Sequence, residues 1–284
     1  MNTPLHELYD PLFEKKHVRV FMKRDDLIHP YISGNKWRKL KYNLQEAKSN
    51  GEQTLLTFGG AYSNHIYAVA AAGKEYGFNT IGIIRGEKAL PLNPVLTFAE
   101  EQGMELHFIS REDYRKKNEL ELVDQILQRY GNFFLLPEGG SNVLAVKGCA
   151  EIISEIEIPY DYICCPVGTG GTMAGLIAGC NNQHHVVGFS VLKGYTDAAK
   201  TVEQLVQDFT GKEFSNWTIN HDYHFGGYAK KNIELTAFIQ QFSMQHQLIL
   251  NWIYSAKMMF GLYDLIGKGF FPKDSVIIVL HTGG

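Results

Sequence analysis

The 284-residue sequence lacks the features that mark membrane, secreted or nucleic-acid-binding proteins. It has four cysteines and no C-x-x-C pair, so a metal site is not supported and buried thiols in a reducing cytoplasm fit best. No apolar run approaches the roughly 20 residues of a membrane span, and the first residues show no signal-peptide pattern. There is no long basic run, and the net charge is −3. We therefore expect a cytoplasmic protein that binds neither nucleic acid nor a membrane.

Strand-like and helix-like patterns alternate along most of the chain. The predicted strands cover residues 17–24, 54–58, 80–84, 105–109, 133–136, 162–166, 186–191 and 275–280. The predicted helices that follow the first loop cover residues 64–76, 94–102, 111–130, 143–156, 173–180, 198–209, 231–245 and 254–266. Such alternation predicts an α/β protein with parallel twisted sheets flanked by helices. The number of elements favours two lobes with a cleft between them over one sheet.

The stretch from Ser33 to Tyr42 holds the first candidate residue. Ser33 is a good helix N-cap, apolar residues follow at helical spacing, and Gly51 is a helix stop, so Lys36 is expected in the first turn of an amphipathic helix. The helix dipole and Lys39, one turn later, both disfavour the charged form of Lys36. A neutral lysine amine attacks carbonyls and forms Schiff bases. The spacing alone is equally compatible with a solvated basic helix start.

Three glycine-rich stretches, at 59–65, 137–142 and 168–172, each lie between a predicted strand and a predicted helix. Ligands collect at such strand ends in α/β proteins. The third stretch is the best anion site, because glycines free the backbone amides and a helix N-terminus follows. It is either a structural turn or a cradle for one phosphate. A dinucleotide fold is disfavoured, because the next strand, 186–191, ends without an acid.

A reactive lysine together with a cradle for one phosphate suggests pyridoxal phosphate, a cofactor with one aldehyde, one phosphate and an electron-withdrawing ring. Five motifs then appear in order: Ser-Gly-Asn-Lys-x-Arg-Lys-Leu at 33–40, Gly-Gly-x-x-Ser-Asn-His at 59–65, Gly-Gly-Ser-Asn at 139–142, Thr-Gly-Gly-Thr at 169–172 and His-Thr-Gly-Gly at 281–284. The set resembles the 1-aminocyclopropane-1-carboxylate (ACC) deaminase/D-cysteine desulfhydrase family. This resemblance implies the pyridoxal-phosphate fold of the tryptophan-synthase β-subunit. It also implies a large domain of residues 1–49 plus 147–284, a smaller inserted domain of residues 50–146, and a homodimer.

The resemblance also implies roles for individual side chains. Lys36 would form the Schiff base with the cofactor, and Asn64 would hydrogen-bond its ring hydroxyl. Ser63 would face the substrate carboxylate or take part in proton transfer. Tyr228 and Tyr254 match the two active-site tyrosines of the family. From the sequence alone, Asn64 could equally be a helix cap and the tyrosines ordinary half-buried aromatics.

The cofactor phosphate is expected at the third glycine-rich stretch. The resemblance implies that Gly168, Thr169, Gly170, Gly171 and Thr172 hold it. Lys39 would be the charged partner of the phosphate.

Two positions depart from the family members that open the ring of ACC. Those enzymes carry Glu after the second tyrosine, where this chain has Ser255, and Leu in the last motif, where this chain has Thr282. The resemblance places the hydroxyl of Ser255 or Thr282 at the pyridine nitrogen of the cofactor. A neutral hydroxyl there would leave a weaker electron sink than a carboxylate, but one sufficient for α-proton removal and loss of thiolate.

The resulting hypothesis is an α,β-elimination on a small amino acid, with D-cysteine as the type substrate and pyruvate and ammonia as products. Lys36 would be the general base, assisted by Tyr228, Tyr254 and Ser63. Three alternatives remain open: an ACC deaminase that yields 2-oxobutyrate and ammonia, a non-catalytic pyridoxal-phosphate-binding protein, and a racemase or another β-eliminating enzyme on the same fold. The chain ends at Gly284, where family members usually continue, so we expect a looser site at the ring-nitrogen end.

Overall fold

The computed structural model describes residues 2–117 and 120–283, in which ten strands form two sheets. The strands are β1 (Leu5–Leu8), β2 (Arg19–Lys23), β3 (Thr54–Gly60), β4 (Asn79–Arg85), β5 (Met104–Ile109), β6 (Phe134–Leu136), β7 (Tyr162–Val167), β8 (His185–Ser190), β9 (Trp217–Asn220) and β10 (Val276–Leu280). The α-helices are α1 (Pro11–Lys16), α2 (Asn35–Ser49), α3 (Asn64–Tyr76), α4 (Pro94–Glu101), α5 (Arg111–Arg115), α6 (Leu120–Tyr130), α7 (Val143–Ser154), α8 (Gly171–Cys180), α9 (Ala198–Thr210), α10 (Ile233–His246) and α11 (Ser255–Gly267). Short 3₁₀ helices cover Asp25–Leu27 and Glu138–Gly140.

The first compact unit comprises Met1–Lys39 and Val143–Gly284 and contains a six-stranded sheet. Its strand order is β1-β2-β10-β7-β8-β9. β1 pairs antiparallel with β2, and the other neighbouring pairs are parallel. The loops that follow β2, β10 and β7 therefore leave the same edge of the sheet, where ligands bind in α/β proteins.

Alternating side chains of β10 show how both faces of this sheet are buried. Ile277 and Val279 belong to one apolar cluster, which also contains residues of α1, α10 and α11. Ile278 and Leu280 belong to a second cluster, with residues of α7, α8 and α9. A parallel sheet covered on both faces requires such continuously apolar strands.

The second unit, Leu40–Asn142, contains a four-stranded parallel sheet in the order β5-β4-β3-β6. Leu56 and Phe58 of β3 and Ile81 and Ile83 of β4 join α5 and α6 in one apolar cluster. The α3 helix packs closely on β4 at Gly73. A Cβ at this position would lie only 2.3 Å from Cγ2 of Thr80. The α/β class predicted from the sequence is confirmed.

The helix predicted over 111–130 is wrong as one element. The structure has α5 and α6 in its place, and residues 118–119 between them lie outside the described residues, as does Gly284 of the last motif. The first helix closes early because the amides of Lys116 and Lys117 bond to carbonyls three residues back, at Asp113 and Tyr114, which ends the α-helical pattern.

The sequence patterns also miss β1, α1 and β9. These elements have four, six and four residues, too few to show a periodicity. The start of α1 is fixed locally, since Asp10 caps it by accepting a hydrogen bond from the amide of Leu12.

The contact boundary between the two units falls inside α2, after Lys39. The domain limits expected from the resemblance, 49/50 and 146/147, stay a prediction. Within residues 2–117 and 120–283, no helix is both long enough and apolar enough to span a membrane.

Candidate active site

Lys36 is the second residue of α2, so its predicted place in the first turn is correct. The residue is half-buried. The pKa of its ammonium is lowered well below the usual value, first by burial and second by the charge of Lys39. The sequence predicts the repulsion from Lys39 but not the larger effect of burial. A lysine held towards its neutral form is suited to attack a carbonyl.

Three of the sequence motifs meet beside Lys36. The side-chain amide of Asn35 donates a hydrogen bond of 2.7 Å to the hydroxyl of Thr172, and its backbone amide donates one of 3.3 Å to the carbonyl of Thr282. Gly34, with φ +63°, lies so close to the last motif that a Cβ would be 1.8 Å from the carbonyl oxygen of Thr282. The residues before Lys36 are therefore fixed to the start of α8 and to the segment after β10.

The glycine turn 168–172 joins β7 to α8. Gly170 takes φ +83° as the residue before α8, a conformation that favours glycine. A Cβ on Gly170 would lie 3.0 Å from Cγ2 of Val202, and one on Gly168 would lie 3.3 Å from Cε1 of Tyr254. A glycine backbone at the N-terminus of a ten-residue helix is a suitable cradle for one phosphate.

Thr172 is buried at the inner side of this turn. Its hydroxyl accepts the hydrogen bond from Asn35 and also hydrogen-bonds the thiol of Cys149. Burial raises the pKa of the Cys149 thiol to about 11. Thr172 therefore links α2, α7 and α8, in addition to any contact that it makes with a phosphate.

Lys39 lies one turn after Lys36 and is 2% exposed. Burial lowers the pKa of its ammonium to about 8, and the nearby thiols of Cys149 and Cys165 only partly oppose that effect. A buried cation is favoured when an anion binds beside it. The electrostatics of Lys39 thus suit a phosphate partner.

A buried ion network holds the first turn of α2 in place. The guanidinium of Arg38, 1% exposed, donates to both carboxylate oxygens of Asp25 at 3.1 and 2.9 Å and to both of Glu155. Lys23 adds a 2.8 Å ion pair with Glu155. Because Arg38 lies between Lys36 and Lys39 in sequence, this network fixes the backbone that carries both lysines.

Tyr228 and Tyr254 lie together, with ring centroids 6.4 Å apart and an interplanar angle of 66°. Tyr254 also adjoins the glycine turn at Gly168. It immediately precedes α11, and its backbone amide donates to Oδ1 of Asn251 at 3.1 Å. The structure therefore places Tyr254 next to the predicted phosphate turn and Tyr228 next to Tyr254.

Ser255 and Thr282 are both buried in the same unit as Lys36. The hydroxyl of Ser255 donates a 3.3 Å hydrogen bond to the carbonyl of Asn251. The adjacent His281 is held by its Nε2, which donates to the carbonyl of Ile249 at 2.9 Å, while its Nδ1 accepts from the amide of Gly283. These bonds account for His281 as a structural residue.

Ser63 and Asn64 lie in the second unit, at the start of α3. Ser63 is the N-cap, since its hydroxyl accepts from the amides of His65 and Ile66. Asn64 is the first residue of the helix, so the cap is Ser63 rather than Asn64. His65 is buried and its Nε2 lies 3.0 Å from the hydroxyl of Thr57. The relation of Ser63 and Asn64 to Lys36 stays a prediction.

Sequence reasoning missed several polar side chains that organise these segments. Asn43 and Asn142, both in the second unit, exchange two amide hydrogen bonds of 3.2 and 2.7 Å. Lys257 is a lone buried lysine in the apolar part of α11. A charged or amide residue on the apolar face of a helix is a signal that could have identified Asn43 and Lys257 beforehand.

Comparison with known proteins identifies the enzyme family to which this chain belongs. The sequence profile described as pyridoxal-phosphate-dependent enzyme matches residues 1–283. The chain belongs to this family, its fold is that of the tryptophan-synthase β-subunit group, and pyridoxal phosphate is its cofactor. The cofactor and the enzyme class predicted from the sequence are confirmed.

The particular relatives carry two kinds of name. A Thermotoga maritima protein, provisionally named 1-aminocyclopropane-1-carboxylate deaminase, is 32% identical over 291 residues, covering 96% of this chain and 91% of that protein. An Arabidopsis thaliana protein named as a mitochondrial bifunctional D-cysteine desulfhydrase/1-aminocyclopropane-1-carboxylate deaminase is 30% identical over 307 residues, covering 99% of this chain and 76% of that protein. A crystal structure of an ACC deaminase homologue matches with a TM-score of 0.87 and 27% identity, covering 100% of this chain and 89% of that one. The family resemblance seen in the motifs is confirmed.

Proposed function

We propose that this chain is a pyridoxal-phosphate-dependent lyase that deaminates a small amino acid by α,β-elimination, with D-cysteine as the type substrate. The balanced reaction consumes D-cysteine and water and yields pyruvate, ammonia and hydrogen sulfide. The observation that carries the proposal is the Asn35–Thr172 hydrogen bond, which fixes the desolvated Lys36 beside the glycine turn at the start of α8.

The residues present fit the cofactor. Lys36 would bind its aldehyde carbon, and Gly168, Thr169, Gly170, Gly171 and Thr172 would hold its phosphate, with Lys39 as the charged partner. Ser63 and Asn64 would approach the substrate carboxylate and the ring hydroxyl. When bound, pyridoxal phosphate supplies a ring that withdraws electrons from the substrate α-carbon.

The protein side chains would then move the protons. The amine of Lys36, when it is not bonded to the cofactor, would accept the α-proton, a role for which its lowered pKa is suited. Tyr254, which adjoins Gly168, and Tyr228, whose ring centroid lies 6.4 Å from that of Tyr254, would orient the substrate and deliver a proton to the departing sulfur. Ser63 would assist at the carboxylate.

Ser255 and Thr282 support elimination over ring opening. Both are buried hydroxyl residues, and we propose that one of them meets the pyridine nitrogen. In the structure the hydroxyl of Ser255 donates to the carbonyl of Asn251, so it would have to turn away from that carbonyl to donate to an unprotonated pyridine nitrogen. Such a partner suits loss of thiolate, an easier step than opening a ring that has no α-hydrogen.

We also propose a cytoplasmic homodimer with a large domain of residues 1–49 plus 147–284 and an inserted domain of residues 50–146. The four cysteines are buried free thiols, in keeping with a reducing compartment. The homodimer rests on the family resemblance, and sedimentation of the purified holoprotein tests it.

The function is tested by incubating holoprotein with D-cysteine, L-cysteine and ACC, and assaying sulfide, pyruvate and 2-oxobutyrate. We expect equal amounts of sulfide and pyruvate from D-cysteine, and none from Lys36→Ala. Production of 2-oxobutyrate from ACC without sulfide from D-cysteine would identify an ACC deaminase instead. Bound cofactor without turnover of any amino acid would identify a carrier. A near-visible absorption band that borohydride removes, and that Lys36→Ala lacks, would verify the role of Lys36 independently.

A further inference from the structure

Lys257 is a fully buried cation that the proposed mechanism does not use. It is 0% exposed and lies in α11 between the buried apolar residues Ala256 and Met258. Its Nζ donates to the backbone carbonyls of His224 at 2.9 Å and Gly227 at 2.7 Å. No carboxylate within residues 2–117 and 120–283 forms an ion pair with it. Both of these hydrogen bonds therefore go to the same loop, residues 224–228.

That loop has an unusual backbone. Phe225, Gly226, Gly227 and Ala229 all have positive φ values, of +51°, +90°, +109° and +51°. Left-handed conformations are unfavourable at the two non-glycine residues, Phe225 and Ala229. They persist only where surrounding contacts impose them. Of the two carbonyls that Lys257 holds, that of His224 directly precedes this stretch and that of Gly227 lies within it, and Tyr228 follows Gly227 directly.

The burial of Lys257 is unfavourable in itself. Desolvation lowers the pKa of its ammonium to about 8. Replacement of a buried charge by an apolar side chain of similar volume is often neutral or stabilising. Stability alone does not explain a lysine in the apolar part of α11, whereas the geometry of the loop does.

We propose that Lys257 is a positioning residue that fixes the 224–228 loop, so that the ring of Tyr228 keeps its edge contact with Tyr254. Tyr254 and Lys257 are three residues apart at the start of α11. The start of α11 thus fixes the positions of both tyrosines. It carries Tyr254 on its own backbone, and it holds the loop of Tyr228 through the ammonium of Lys257. The role in turnover rests on the proposed function, whereas the effect on the loop does not.

The first test is hydrogen exchange followed by mass spectrometry on the wild-type holoprotein and on Lys257→Met. We expect faster exchange in peptides that cover residues 224–229, with little change elsewhere. The matched control is Lys268→Met, which removes an exposed lysine just after the same helix. Unchanged exchange in the 224–229 peptides of Lys257→Met would overturn the proposal, even if the protein turned over no amino acid.

The second test is a double-mutant cycle with Tyr228→Phe, using sulfide release from D-cysteine. A misplaced Tyr228 should lower kcat by about 10- to 100-fold in Lys257→Met, with an unchanged cofactor absorption band. In the Tyr228→Phe background the same substitution should lower kcat by less than about twofold, because the group on which it acts is gone. The proposal would be overturned if the two substitutions lowered kcat independently, so that their fold-changes multiplied in the double variant. Full activity of Tyr228→Phe would also overturn it.

Lys257→Arg, which keeps the charge and the donors, is the second variant. We expect it to retain more protection of the loop and more activity than Lys257→Met. If both variants failed to fold by circular dichroism, Lys257 would have a general structural role and the proposal would be wrong.

Discussion

The side-chain amide of Asn35 lies 2.7 Å from the hydroxyl of Thr172, so the residue before Lys36 is tied to the first turn of α8. This bond joins two motifs that are 137 positions apart in the chain. It sets the position of Lys36 relative to the glycine turn before any cofactor binds. Such preorganisation favours binding, because the cofactor does not have to order the two segments.

Asn35→Ala should therefore weaken cofactor binding. Loss of one buried hydrogen bond, with the hydroxyl of Thr172 left unpaired on that side, costs about 1–2 kcal/mol. The expected result is a rise of about tenfold in the dissociation constant of pyridoxal phosphate, measured by absorbance titration of the apoprotein. Asn132→Ala, at an exposed asparagine of the second unit, is the control. Equal dissociation constants for Asn35→Ala and the wild type would contradict this role.

Lys39→Met should change stability and cofactor binding in opposite directions. The pKa of Lys39 falls from 10.5 to about 8 in the folded apoprotein, a preference of about 3 kcal/mol against the charged form. Removing the charge should stabilise the apoprotein at pH 7. If Lys39 pairs with the phosphate, the same variant should bind pyridoxal phosphate at least about tenfold more weakly.

The lowered pKa of Lys39 also predicts how the stability difference between the wild type and Lys39→Met changes with pH. Between pH 8 and 10.5 the unfolded chain holds a proton on Lys39 that the folded chain has released, so the stability of the wild type rises with pH. The advantage of Lys39→Met in urea unfolding should therefore shrink over that window. Lys48→Met, at an exposed lysine of the same helix, should show neither effect.

The fold could be predicted from the sequence because its elements carry strong local patterns. β10 is apolar at all five positions, and such a run predicts a strand buried on both faces. The prediction missed the short elements β1, α1 and β9. It also missed the interruption of 111–130, where turns are closed by hydrogen bonds to the carbonyl three residues back. Those features depend on edge pairing and on local hydrogen bonds, which leave no periodicity to detect.

The site could be predicted only as a set of motifs. The glycine turn at 168–172 and the lysine at 36 are visible as types and spacings, but the burial that lowers the pKa of Lys36 arises from tertiary packing. The supporting groups were hidden for the same reason. Arg38 reads as one more charge in a basic helix start, whereas in the structure it is 1% exposed and paired with two acids.

Glu155→Gln should destabilise the protein far more than a surface substitution of the same type. It weakens a buried network in which Arg38 and Lys23 have Glu155 as a shared partner. Weakening one side of a buried ion pair costs up to about 3–5 kcal/mol. Glu7→Gln, which removes the charge that pairs with the largely exposed Arg19, should cost less than about 1 kcal/mol. Similar losses of unfolding free energy in the two variants would count against a special role for the network.

The contribution of Glu155 should also depend on pH. Burial by itself would raise the pKa of this carboxyl, but the hydrogen bonds from Arg38 and Lys23 lower it below 4.5. Its stabilising effect is therefore complete above pH 4.5 and is lost as the pH falls through the lowered folded value. The difference between wild type and Glu155→Gln, measured by urea unfolding, should be largest near pH 7 and shrink in acid.

Asn43 and Asn142 should be energetically coupled, because each amide serves as donor and acceptor for the other. Asn43 is completely buried, so Asn142→Ala removes two buried hydrogen bonds at once and should cost about 1–3 kcal/mol. Replacing both by alanine removes the same two hydrogen bonds only once, so the double variant should be more stable than the sum of the single losses predicts. A coupling of at least about 0.5 kcal/mol in urea unfolding is expected. Strict additivity would mean that the two amides act separately and that the 139–142 motif is not held to α2 by this pair.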